Sequence, residues 1–132
     1  VTPEVATYLE MARTHLADAR TVAALPLPHL AAREAYLAGY HAAEALVFAR
    51  TGQAVKTHRG LRARFSELVR NDQRVDPGFL RFLARAYELK SIADYGGPPG
   101  IRITAAEATE AIDLADRLLT CVATIVADET TG

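Results

Sequence analysis

Apolar residues recur along this chain at alternating spacings of four and three, and the runs end where proline or glycine gathers. Val5, Leu9, Ala12, Leu16, Ala19 and Ala23 set the pattern over the first six turns. A strand needs a period of two to bury one face, whereas this spacing keeps one stripe of a 3.6-residue helix inward. The same period returns in four later segments. The fold class expected is therefore all-α: an up-and-down antiparallel bundle of about five helices, with residues 1–132 forming a single domain.

Punctuation places the helices. Thr2-Pro3-Glu4 reads as cap, first-turn proline and an acid at the positive dipole end, and Pro26 and Pro28 are expected to end that helix. The second helix is expected from about Leu30 to Arg50, closed by Thr51-Gly52. It carries Leu37 and Phe48 on one face and Tyr36, Tyr40, Ala43 and Val47 on another. A helix apolar nearly all round belongs at the centre of a bundle or at a subunit interface. Thr57 can cap a shorter helix to about Arg70, with Leu61, Phe65, Leu68 and Val69 inward. Asp76-Pro77 repeats the cap-plus-proline signal for a fourth, striped by Phe79, Phe82, Ala86, Leu89 and Ala93. Gly96 sits where a left-handed C-terminal cap belongs, and Gly97-Pro98-Pro99-Gly100 reads as a linker. Thr104 and Glu107 have capping-box spacing for a last long helix through Ala108, Ala111, Ala115, Leu118, Val122 and Ile125. Its tail after Asp128 is expected to fray.

Composition removes several function classes. The lone Cys121 excludes an internal disulfide and a thiolate zinc site within one chain, and fits a reducing, cytoplasmic setting. The longest uncharged helical run, Leu118 to Ala127, is far short of the roughly 20 residues a membrane span needs, and no signal peptide is expected. A net charge of −1 argues against a generic nucleic-acid coat, although Arg50, Lys56, Arg59, Arg62, Arg64 and Arg70 face only Glu67 in their stretch. That run is either a solvated face or a local phosphate-facing patch. Carboxylate-bridged metal bundles need paired Glu-x-x-His motifs, and none of His15, His29, His41 and His58 has Glu three residues before it. No metal is expected on that pattern, and no cofactor, since no glycine-rich phosphate loop occurs.

Two segments stand out. Lys56-Thr57-His58-Arg59-Gly60 concentrates two cations, an imidazole and a glycine at a helix start, where free N–H groups favour an anion. Gly60 inside a helix costs about 1 kcal/mol against Ala, so another helix or a ligand is expected to approach there; a capped helix with a packing glycine is the plainer alternative. Lys90-Ser91-Ile92-Ala93-Asp94-Tyr95-Gly96 places a carboxylate at the unfavourable end of a helix dipole. Asp94 is therefore expected to have a cationic partner, with His58 or Arg59 as candidates.

Together with Ala35-Tyr36-Leu37-Ala38-Gly39-Tyr40-His41-Ala42-Ala43-Glu44-Ala45-Leu46, these segments resemble the HEPN family, specifically its small stand-alone prokaryotic members. Those carry an aromatic-rich second helix with a Phe-His-Ala-like stretch, a Lys-Thr-His-x-Gly turn and an Arg-x-x-Ala-Asp-Tyr-like fourth helix. The likeness runs from about Arg33 to Gly96. It implies a helical bundle, commonly a homodimer, often paired with a minimal nucleotidyltransferase in toxin–antitoxin modules, and contacting RNA or a nucleotide. Catalytic members are metal-independent ribonucleases using Arg-x(4–6)-His. Here no arginine precedes a histidine at that spacing, and the fourth-helix equivalents are Lys90 and Tyr95. Lysine lacks the bidentate fork, and tyrosine is a poor base at neutral pH. The resemblance thus implies a non-catalytic or weakly catalytic module whose shared groove draws on Tyr36, Tyr40, His41, Lys56, His58, Arg59, Lys90, Asp94 and Tyr95. The alternatives are a ribonuclease in which His58 or His41 supplies the missing histidine, and a purely structural dimerisation bundle.

Overall fold

The computed structural model describes residues 1–97 and 102–131, the side chains of Leu89 and Thr131 excepted. Five helices follow one another: α1 (Pro3–Ala23), α2 (Pro28–Thr51), α3 (His58–Val69), α4 (Gly78–Tyr95) and α5 (Ala105–Thr131), with no strand among the described residues. This is the antiparallel bundle that the periodicity demanded. Of the Gly97–Gly100 linker, only Gly97 lies within the described residues.

Local chemistry sets each boundary. The Thr2 hydroxyl accepts the Val5 N–H at 3.2 Å, and α1 buries Val5, Leu9, Ala12, Leu16 and Ala19; Ala23, at its last turn, is exposed. Pro28 does not help to end α1. It stands in the first turn of α2, where its missing N–H costs nothing and its fixed φ is already helical. Gly52 closes α2 at φ +70°, in the left-handed region. The fourth helix starts one residue later than Asp76-Pro77 suggests, because the Asp76 carboxylate accepts the Gly78 N–H at 2.8 Å from outside the helix. Gly96 has the expected positive φ, +78°, but its ψ of 162° is extended, so the cap is not left-handed helical. At α5 the box forms: Thr104 Oγ1 accepts from the Glu107 N–H, and Glu107 returns a bond to the Thr104 N–H, each at 3.1 Å. The tail after Asp128 does not fray. The helix continues to Thr131, and Arg50 and Arg74 hold Glu129 at 2.9 and 3.3 Å.

The second helix is the central one. It packs against each of the other four, and twelve of its residues are buried. Gly39 explains how α4 comes so close: a Cβ there would meet the Phe82 ring at 2.6 Å. The main core gathers the α1 stripe, the Tyr36 and Leu46 sides of α2, Leu61 and Phe65 of α3, Phe79 to Ala86 of α4, and the Ala111 to Val126 stripe of α5. Leu68 and Ala93 are only half-buried. Among the described residues no helix is long and apolar enough to cross a membrane.

Candidate functional site

Tyr36 and Tyr40 are four residues apart on α2, so their rings lie one above the other on one face. The first turn of α3 brings His58 against both: its ring centroid is 4.4 Å from Tyr40 and 5.7 Å from Tyr36. Tyr87 of α4 completes the group at 5.4 Å from His58 and 5.9 Å from Tyr36. Arg62, one turn after His58 on α3, lies over the Tyr87 ring at 4.9 Å. Three helices thus converge on one imidazole.

The cap of α3 fixes that imidazole. Thr57 Oγ1 accepts the Gly60 N–H at 3.0 Å, which sets the direction of the first turn. The same contact accounts for Gly60. A Cβ at that position would meet Thr57 Oγ1 at 2.6 Å and the Val55 side chain at 3.1 Å. What approaches Gly60 is therefore its own cap, and no second helix is involved.

Within this cluster one hydrogen bond carries the chemistry. The Tyr36 hydroxyl lies 2.5 Å from His58 Nδ1, and Tyr36 is fully buried. Burial pushes the Tyr36 phenol far above its usual range, against the opposing pull of the Arg62 charge, so at neutral pH it keeps a proton that it can donate to Nδ1. His58 is shifted downward, first by burial and then by the positive charges of Lys90 and Arg62, with Glu44 acting the other way. A neutral imidazole that accepts at Nδ1 carries its proton on Nε2. In that tautomer the ring donates from Nε2. Beside it, Arg62 Nη1 is buried without a hydrogen-bond partner among the described residues.

Next to the pocket runs a ladder of ions. Asp94 does have cationic partners, but they are neither His58 nor Arg59. Arg33 Nε donates to one carboxylate oxygen and Lys90 Nζ to the other, both at 2.7 Å, and Lys90 first, then Arg33, holds the Asp94 carboxyl below its usual range. Arg33 Nη1 also reaches Glu34 at 3.2 Å, and Glu34 in turn meets His15 Nδ1 at 2.5 Å. The second of these bonds joins α1 to α2.

The nine residues expected in the groove divide accordingly. Tyr36, Tyr40 and His58 are in contact, and Lys90 is close enough to act on the imidazole. His41 adjoins them edge-on to Tyr40 at 5.6 Å, and is itself paired with Glu44 at 2.5 Å. Asp94 neutralises Lys90. Lys56 and Arg59 are exposed and hold no ion pair among the described residues, while Tyr95 is 85% exposed and joins no ring contact among them. The basic stretch is not one patch: Arg50 pairs with Asp72 and Glu129, and Arg64 with Glu67. Sequence reasoning missed the site roles of Arg62 and Tyr87. The signal was available, since Arg62 is four residues after His58, and Tyr87 shares a helix face with Lys90 and Asp94.

The architecture defines a class: an all-helical bundle whose third helix opens against a tyrosine cluster that packs around a histidine shifted toward its neutral form. The chain belongs to the HEPN domain family, whose model matches residues 5–125. No curated protein matches the chain.

Proposed function

We propose that this HEPN domain is a binding module for RNA or a nucleotide, and that it does not cleave as the Arg-x(4–6)-His members do. Family membership supports the coarser statement, a ribonuclease-like or nucleotide-binding helical module. The finer one rests on the bond from the Tyr36 hydroxyl to His58 Nδ1. A histidine acting as general base offers a lone pair near neutral pH, and one acting as general acid needs a proton it can surrender there. With Tyr36 donating to Nδ1, the proton of the neutral ring is on Nε2, and the ring resists gaining a second. Such a ring can donate a hydrogen bond to a phosphate or base edge. Tyr87, 37% exposed, offers a stacking face, and exposed Lys56 and Arg59 flank the same helix start.

The module is further proposed to act in the cytoplasm as a homodimer beside a minimal nucleotidyltransferase, in a toxin–antitoxin pair. The family resemblance of the Ala35–Leu46, Lys56–Gly60 and Lys90–Gly96 segments supports the dimer and the partner, and the lone Cys121 supports the compartment. Incubation of the purified protein and His58→Ala with total RNA and no metal, alongside fluorescence anisotropy on labelled single-stranded RNA, tests the reading. Intact RNA in both samples is expected, with wild-type binding that weakens in the variant and falls with rising salt. Metal-independent cleavage by the wild type that disappears in His58→Ala would establish the ribonuclease alternative instead. Absence of binding to RNA, nucleotides and a co-expressed nucleotidyltransferase would leave a structural bundle.

A further inference from the structure

Bordering the tyrosine cluster through His41, the α1–α2 seam carries an imidazole and two carboxylates that the proposed binding site does not use. His15 and Asp18 are one turn apart on α1, and Glu34 comes from α2; one donor atom from each lies within 4.8 Å of the other two. We propose that His15, Asp18 and Glu34 form a site for a divalent transition-metal ion such as Zn2+. The Glu-x-x-His pattern sought in the sequence could not reveal it, because the order on α1 is His-x-x-Asp and the third donor belongs to another helix.

Metal bonds of about 2.0–2.2 Å place neighbouring donors about 3–3.5 Å apart, so on taking up an ion the 2.5 Å contact of His15 Nδ1 with Glu34 opens, its proton is released to solvent, and the side chains rotate into that spacing. Two of the donors are already held. The His15 ring stacks on His41 at 5.3 Å, and Glu34 is oriented by Arg33 at 3.2 Å. Arg33 has Asp94 as its nearer partner, which lets Glu34 turn toward an ion without stranding the guanidinium. Asp18 is exposed, so water can complete the coordination. An imidazole among oxygen donors selects zinc, nickel or iron over magnesium and calcium, which take all-oxygen shells.

Isothermal titration of the wild-type protein with Zn2+, with Asp18→Asn and His15→Gln beside it, tests the assignment. Asp18 is on the surface, and an unchanged far-UV circular dichroism spectrum would show that its variant is folded. One ion per chain is expected, with affinity reduced at least about tenfold in each variant, and a melting temperature that Zn2+ raises and a chelator restores. Equal Zn2+ affinity in wild type and Asp18→Asn would overturn the site. So would no binding at about 1 mM Zn2+, or equal competition by Mg2+.

Discussion

About 20 Å separate Tyr36 from Arg50 along α2, by the helical rise alone, and at the two places the protein treats its polar groups in opposite ways. Around Arg50 everything is matched. Its Nη1 donates to the Leu68 carbonyl at 2.8 Å, and its Nη2 to Asp72 at 3.1 Å and Glu129 at 2.9 Å. Arg74 grips the same Asp72 carboxylate at 2.8 and 3.0 Å, and Arg74 first, with Arg50 behind it, holds that carboxyl far below the usual range. The knot joins the ends of α2, α3 and α5 and leaves those cations no free charge for a ligand. Around His58 the matching is incomplete: the Tyr36 phenol and the imidazole bond each other, and a buried guanidinium nitrogen of Arg62 has no hydrogen-bond partner among the described residues. Saturation marks a fastening, and donors left over mark a place where something can bind.

The comparison breaks most visibly at Arg50. Arg50→Met keeps the aliphatic packing but strips Asp72 and Glu129 of a partner whose side chain is only 19% exposed. A loss of about 2–3 kcal/mol is expected in urea denaturation, because ionised acceptors near the interior lose charge-assisted hydrogen bonds. RNA binding at the His58 pocket should be unchanged under conditions where the variant stays folded. A variant as stable as wild type would show that the knot is ornamental and that α5 is held by apolar contacts alone.

The sequence made the helices legible because their causes are local. The Thr2 and Thr57 caps, the Thr104–Glu107 box and the Val5 to Ala19 stripe are each decided within a few residues. Pro28 is ambiguous in the sequence because proline can follow one helix or open the next; here it opens α2, whose Ala31 and Ala32 are buried one turn on. The site was legible in its parts: Tyr36, Tyr40 and His58 were named from a resemblance and do meet. Its partners were not. Arg33 reaches Asp94 across 61 residues of chain, and Arg50 reaches Glu129 across 79, distances at which spacing carries no information. Tyr95 shows the opposite error. It shares the motif with Lys90 and Asp94, yet it falls on the solvent side of the last turn, 85% exposed.

A smaller change sharpens the contrast from the pocket side. Tyr36→Phe preserves the ring packing against Tyr40, Tyr87 and His58 and removes the donor to Nδ1. The hydrogen bond contributes about 1 kcal/mol to stability, so the denaturation midpoint should fall modestly. The distinctive effect is on the imidazole. A bond to the neutral ring favours the neutral form, and its loss should move the His58 titration midpoint upward, toward the ordinary value of 6.5. Nitrogen chemical shifts followed by NMR should show the Nε2-protonated tautomer giving way to a mixture. An unmoved midpoint and an unmoved tautomer would mean that Tyr36 is a packing ring whose hydroxyl does not set the state of His58.

The smallest effect is on pH dependence, and the pH window in which it falls separates the two regions. His58 titrates lower in the folded chain than the 6.5 of the unfolded one, through burial first, then Lys90, Arg62 and His41, with Glu44 opposing. Between the two values the unfolded chain binds more protons at this position, so stability is greatest above about 6.5 and declines as pH falls through the window below it. Asp72 and Glu129 also titrate lower when folded, but as carboxylates they act only in more acidic solution, where protonation dissolves the Arg50 knot. A melting-temperature series from pH 8 to 3 should therefore decline in two stages. His58→Gln should flatten the upper stage, and Arg50→Met the lower one. If His58→Gln leaves the slope between pH 6.5 and 5.5 unchanged, the tyrosine cluster does not hold its histidine neutral, and Nε2 is no fixed donor.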